Sequence, residues 1–180
     1  LEAHVPGARF LDLESFIDTG SDVPKALPTG EQFARRMANL GIAPSTPVVL
    51  YDDSAIRSSA RAWFIFNLFE HVNIAILDGG LAKWRQEGRM IEQGDRTEIE
   101  PAAYPVPEQR CAVRNKAEML QNIEGGSEQV VDARDAARFA GKEGSGSEGH
   151  IPGARSLHFA KLLNADGTYR SAESIRAVFE

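Results

Sequence analysis

The nine residues 3–11, AHVPGARFL, return almost unchanged at 149–157 as GHIPGARSL, 146 positions further on. A phrase used twice points to a unit used twice, and internal similarity constrains a fold more tightly than composition does. The likeness extends past the phrase. TGEQFARRM at 29–37 lies against SAESIRAVF at 171–179 with an offset of 142, pairing Thr29 with Ser171, Glu31 with Glu173, Phe33 with Ile175 and Met37 with Phe179. Both segments carry Thr or Ser where a helix N-cap belongs and apolar residues four apart, so both predict the same amphipathic helix. The drift in offset falls in the intervening loop, where length varies freely. Two similar domains are therefore expected in 180 residues, a length that one to two domains can fill.

The two copies are staggered. In the first, the helix meets Gly41, Pro44 and Pro47 and then VVLYDDS at 48–54, a buried strand running into a polar loop. At the repeat offset, the second copy of that strand falls past Glu180. The second copy in turn has EQVVDAR at 128–134 ahead of His150, and its counterpart would precede Leu1. The expectation is a first domain at 1–95 without its first strand, a linker at 96–114, and the N-terminal part of a second domain at 115–180. The opening Leu1, in place of Met, fits a chain that begins inside a longer gene product.

Helical and strand patterns alternate. SSARAWFIFNLFEH (58–71) reads as an apolar helix whose Trp63, Phe64, Phe66 and Phe69 are expected in the core, together with Trp84 further on. VNIAIL (72–77) reads as a β-branched strand, and DGGLAKWRQEG (78–88) as a helix stopped by Gly88. EIEPAAYPVPEQR (98–110) has three prolines and no helical period, hence the linker. Asn115 and Glu118 then have capping-box spacing at the head of NKAEMLQNIEG, and QVVDA (129–133) is a second buried strand. The fold class is α/β: tandem domains, each a parallel sheet flanked by helices on both faces.

A net charge of −6 argues against nucleic acid or an anionic membrane as the main partner, and favours small molecules. The apolar run 62–66 is far too short to span a bilayer, and no signal peptide opens the chain, so a cytoplasmic protein is expected. The single cysteine, Cys111, excludes an internal disulfide and a cysteine-based metal site. With one neighbouring arginine as its only activating feature, Cys111 is read as structural.

His4 and His150, each opening an H-[VI]-P-G turn, are read as side chains that satisfy backbone groups rather than as acid/base residues. Asp52 and Asp53 follow a buried strand, where α/β sheets place ligands. Adjacent side chains on an extended chain point apart, however, so a solvated loop is expected. Arg134 and Arg138 lie one helical turn apart beside Asp132 and Asp135. Their planar donors suit a carboxylate or a sulfur oxyanion, and equally suit salt bridges to those aspartates.

HVPGARFLDLE, VVLYDDSAIRSSARAWFIFNLFEH, ILDGGLAKWRQEG, VVDARDAARFAG and GHIPGARSLHF, in that order, resemble the two-domain rhodaneses, the thiosulfate and 3-mercaptopyruvate sulfurtransferases. The resemblance implies rhodanese folds in tandem, with catalysis in the second. There a cysteine thiolate after the strand equivalent to VVLYDDS takes up sulfane sulfur as a persulfide and passes it to cyanide or a thiol, with no metal or cofactor. By the resemblance, Asp52 stands at the nucleophile's place in a degenerate first site, Arg138 binds the anionic sulfur donor, and Arg134 supports it. The nucleophile would fall beyond Glu180, so the chain itself is expected to be inactive. Mercaptopyruvate enzymes commonly carry a further arginine between the equivalents of Arg138 and His150, and FAGKEGSGSEG has none. They also often have Asp and His where Glu14 and Lys25 align. The competing reading is a non-catalytic rhodanese-like binding or regulatory module. Kinship to the cysteine-dependent phosphatases of the same fold is more remote.

Overall fold

The computed structural model describes residues 3–94, 99–110 and 113–180. Leu1 and Cys111 lie outside them. The chain divides into two compact units, Leu1–Ala112 and Val113–Glu180.

In unit 1 the turn at 4–7 leads through a loop to α1 (Gly30–Asn39). Its start is fixed by a capping box: Thr29 accepts from the Gln32 backbone N–H, and the Gln32 side chain accepts from the Thr29 N–H. β1 (Val48–Leu50), α2 (Ser58–Leu68), β2 (Ile74–Ile76) and α3 (Gly80–Gln86) follow. β1 and β2 pair in parallel, Val48 with Ile74 and Leu50 with Ile76, and α2 makes the crossover between them. The core gathers on Phe33, which is wholly buried and meets the rings of Phe16, Phe66, Phe69 and Tyr104 at 4.7–5.9 Å. Val48, Leu50 and Ile74 close that core from the sheet.

Two expectations change here. Phe66 and Phe69 are core, but Trp63 and Phe64 are 41% and 37% exposed. α2 is apolar on almost every side, so its composition selects no face. Packing buries the stripe Ser59, Ala62, Ile65, Phe66 and leaves the Trp63 side outward. Coverage of both sheet faces is likewise not what the described residues show: Val49, between Val48 and Leu50, is 61% exposed.

The proline-rich stretch 99–110 runs along unit 1. The Ala102 N–H donates to the Ala38 carbonyl (3.0 Å) and the Arg110 N–H to the Leu68 carbonyl (2.9 Å).

Unit 2 holds α4 (Lys116–Gly125), β3 (Val131–Asp132), α5 (Ala136–Phe139), β4 (Arg155–Ser156), a 3-10 turn at Phe159–Leu162 and α6 (Ala172–Phe179). Asn115 and Glu118 form the expected capping box on α4, and Ser171 caps α6 as Thr29 caps α1. β3 and β4 pair in parallel, Val131 with Arg155 and Asp132 with Ser156. The two copies of the repeated turn are built alike: Gly7 and Gly153 take φ of 73° and 80°, a conformation in which a Cβ would be strained. Each unit is thus mixed α/β with a small parallel sheet.

Candidate functional site

β1 delivers Asp52 to the head of α2. The chain turns into that helix through Arg57, held in the left-handed region at φ 54°, and Arg57 gives no side-chain cap. The exposed donors of the first turn are met from upstream instead. The Asp52 carboxylate accepts from the Ser59 N–H (2.6 Å), the Ser54 N–H (3.0 Å) and the Ser54 hydroxyl (3.2 Å), and Ser54 Oγ accepts from the Ser58 N–H (3.0 Å). Negative charge at a helix N-terminus is favoured by the helix dipole as well as by these bonds. Burial pushes the Asp52 carboxyl up, but its bonds to Ser59 and Ser54 outweigh that and hold it below the usual carboxylate range.

Asp52 is therefore not the solvated loop residue expected of it. It is half-buried and committed, because the loop curls back over it. Asp53 points away and meets Arg85 of α3 at 3.2 Å, so the two carboxylates do not form an acid/base pair. Tyr51, Asp52, Ser58, Ser59 and Arg85 share the wall of a groove of 540 Å³ in unit 1. A hollow of 350 Å³ lined by Arg35 and Arg36 involves none of these residues.

In unit 2 the two arginines differ sharply. Arg134 grips Asp132 with Nε and Nη2 at 2.5–3.1 Å, and donates from Nη1 to Ser147 Oγ (2.8 Å) and from Nη2 to the Gly149 carbonyl (2.7 Å). It ties the end of β3 to the Gly/Ser-rich loop. Hydrogen bonds from Arg134 hold the Asp132 carboxyl down at about 2. Arg138 of α5 is 55% exposed, and its Nε lies 3.6 Å from Asp135, which is itself the N-cap of α5. That separation is an ion pair without a hydrogen bond, so the Arg138 fork keeps its planar donors available.

His150 stacks flat on Phe139 (3.7 Å, 11°) and donates from Nδ1 to the Phe139 carbonyl (2.8 Å). His4 places Nε2 2.9 Å from the Gly94 carbonyl. Both histidines serve the backbone, as the sequence reading expects. Val131, Asp132, Arg134, Gly149 and His150 line an open groove of 610 Å³. Ser147 went unnoticed in the sequence, where one serine in a Gly/Ser run carries no distinguishing signal. Among the described residues no cluster of His, Cys, Asp and Glu could hold a metal ion, and no helix is long and apolar enough to cross a membrane.

The model of the rhodanese-like domain matches residues 1–87 and again residues 115–177. This chain belongs to the rhodanese family. The first matched segment holds HVPGAR and the second holds HIPGAR, and the resemblance read from the five motifs holds. Over 185 residues the chain is 34% identical to 3-mercaptopyruvate sulfurtransferase of Mus musculus, covering 99% of this chain and 62% of that protein. Thiosulfate sulfurtransferase of Bos taurus is 34% identical over 187 residues, covering 100% of this chain and 63% of its own length. Among solved structures, SseA from Escherichia coli, described with the rhodanese fold of 3-mercaptopyruvate sulfotransferases, superimposes with a TM-score of 0.84 at 31% identity. That match covers 98% of this chain and 67% of SseA. This rhodanese chain spans a little over three-fifths of the length of its curated relatives.

Proposed function

We propose that this chain is the donor-binding part of a sulfurtransferase that moves sulfane sulfur from thiosulfate or 3-mercaptopyruvate to cyanide or a thiol. The observation that carries the reading is the contrast between the two arginines. Arg134 has its donors occupied within the fold, whereas Arg138 presents an exposed guanidinium on the helix that follows β3. A planar fork of that kind suits the oxyanion end of thiosulfate or the carboxylate of mercaptopyruvate.

In this reading the nucleophile is a cysteine thiolate at the second domain's counterpart of Asp52. It attacks the outer sulfur of thiosulfate, sulfite leaves with the S–S bonding pair, and cyanide or a thiol then removes the sulfur and regenerates the thiolate. The Asp52 environment supports the idea, because N–H donors at a helix head are the setting that stabilises a thiolate. In unit 1 a carboxylate fills that setting. This favours a second role for unit 1, as a binding or regulatory module without turnover.

The test is a calorimetric titration of the chain with thiosulfate, alongside Arg138→Ala and a cyanide-dependent thiocyanate assay. Binding that is lost in Arg138→Ala, with no turnover by the chain itself, supports the reading. Equal binding by Arg138→Ala removes its basis, and thiocyanate formation by this chain would place the chemistry on another group.

A further inference from the structure

The proline-rich stretch 99–110 has the composition of a linker, yet one side-chain bond pins it inward. Tyr104 lays its ring edge-on to Phe33 (5.5 Å, 77°), and its hydroxyl lies 3.1 Å from Nδ1 of His71. His71 follows α2 and is 1% exposed. Its Nε2 is 3.0 Å from the Thr46 carbonyl, which can only accept, so Nε2 carries the proton and the neutral ring offers Nδ1 as acceptor to the Tyr104 O–H. Both ring nitrogens are thereby satisfied by the neutral form. The ring is covered by Tyr104 on one side (6.1 Å, 24°) and by the edge of Phe66 on another (5.2 Å, 87°).

Protonation would unsettle this arrangement. Nδ1 would become a donor, which the Tyr104 oxygen can accept only by turning its own proton away, and a cation would sit buried against aromatic rings. Among the described residues, the titratable and charged groups on the elements around His71 are Tyr104, the exposed Glu100 and Glu108 on the segment, Arg61 on α2, and the exposed pair Glu70 and Arg110, 3.8 Å apart; of these, Tyr104 is the one that bonds the ring. α2 contributes the Phe66 ring and the stretch before β1 contributes the Thr46 carbonyl. Burial holds His71 below its ordinary 6.5, against the smaller upward pull of the Thr46 carbonyl. Burial also raises Tyr104, which keeps the phenol a donor. The least costly way to hydrate a charged His71 is to lift the segment that covers it.

We propose that His71 and Tyr104 form a pH-operated catch, which fastens segment 99–110 across the Phe33 core when His71 is neutral and releases it when His71 takes up a proton. The sign follows from linkage. The released form binds the proton near 6.5 and the fastened form only below that, so the fastened form prevails above about pH 6.5 and loses ground as pH falls. Release uncovers the Phe33 ring, on which Tyr104 packs, and opens the segment to exchange and proteolysis.

The test is amide hydrogen exchange of the whole chain between pH 7.5 and 5, corrected for intrinsic rates, with the His71 ring followed by NMR in the same samples. The Ala102 and Arg110 amides, which bond to α1 and α2, should lose protection several-fold on acidification, with the midpoint of the His71 titration. His71→Gln, whose amide can still donate to Thr46, should abolish the pH response. Tyr104→Phe should show low protection already at pH 7.5 and a smaller response. Protection that stays flat in the wild type, or falls without following the His71 ring, overturns the catch whether or not the variants fold. An undiminished pH response in folded His71→Gln does the same.

Discussion

Arg134 holds Asp132 side-on, Nε 3.0 Å from Oδ1 and Nη2 2.5 Å from Oδ2, and extends the same guanidinium to Ser147 and to the Gly149 carbonyl. One side chain therefore fixes the end of β3 and the loop that leads back to His150. A lysine keeps the charge but has no planar fork, so it cannot hold a carboxylate on one side and a loop carbonyl on the other. Arg134→Lys and Arg134→Ala should both lower the unfolding midpoint, and both should raise exchange at Gly149 several-fold while leaving unit 1 amides unchanged. Gly149 protection equal to wild type in Arg134→Ala would show that the loop is held by other contacts.

The same pair makes a statement about acid. Asp132 titrates at about 2 in the folded chain against 3.8 for the free group, because Arg134 hydrogen-bonds its ionised form. A depressed carboxylate contributes stability that is complete above about pH 4 and fades as pH falls through 3.8 toward 2. Carbon-detected NMR should place the Asp132 midpoint well below 3.8, and Arg134→Ala should return it toward 3.8. If the Asp132 midpoint is the same in both proteins, the side-on pair does not survive in solution.

Asp52 is a cap supplied from seven residues upstream of the N–H it serves, and the charge and both oxygens are in use. Asp52→Ala should cost about 1–2 kcal/mol, the range for a lost cap or a charged hydrogen bond. Asp52→Asn should recover only part of that, since its amide can satisfy one of the Ser54 and Ser59 contacts as acceptor but not both sides. Urea denaturation of the three proteins at pH 7 measures this. Indistinguishable stabilities would make the carboxylate a passenger at the head of α2.

These three features were unequally visible in the sequence, and the reason is distance along the chain. Thr29, Asn115 and Ser171 were legible as caps because a cap and its N–H lie within three residues. The Asp52 cap was not, because its partner Ser59 is reached only after the loop curls through Arg57. Arg134 and Arg138 share the same local setting of neighbouring aspartates. What separates them is whether the loop at 147–149 folds back, a contact 13 to 15 residues away. The repeat itself carried the fold, since two copies of a turn and a helix locate the strands between them. It could not reveal that Tyr104 of a proline-rich stretch would pack on Phe33, because composition marks that stretch as irregular without saying what it touches.

Phe33 and Trp63 test how far composition can stand in for burial. Both are aromatic, both lie on helices of unit 1, and both sit in windows that read as core. Phe33 is 0% exposed and touches four rings, whereas Trp63 is 41% exposed on the outer side of α2. Removing Phe33 leaves a cavity that its rigid aromatic neighbours cannot fill, so Phe33→Ala should cost about 3–5 kcal/mol. Trp63→Ser removes a ring that water reaches over 41% of its surface, and should cost about 1–2 kcal/mol, clearly less than Phe33→Ala. Chemical denaturation of both variants decides the point. A Trp63→Ser cost approaching that of Phe33→Ala would mean that the outer side of α2 is covered in solution, and that the Trp63 face belongs to a packed interface.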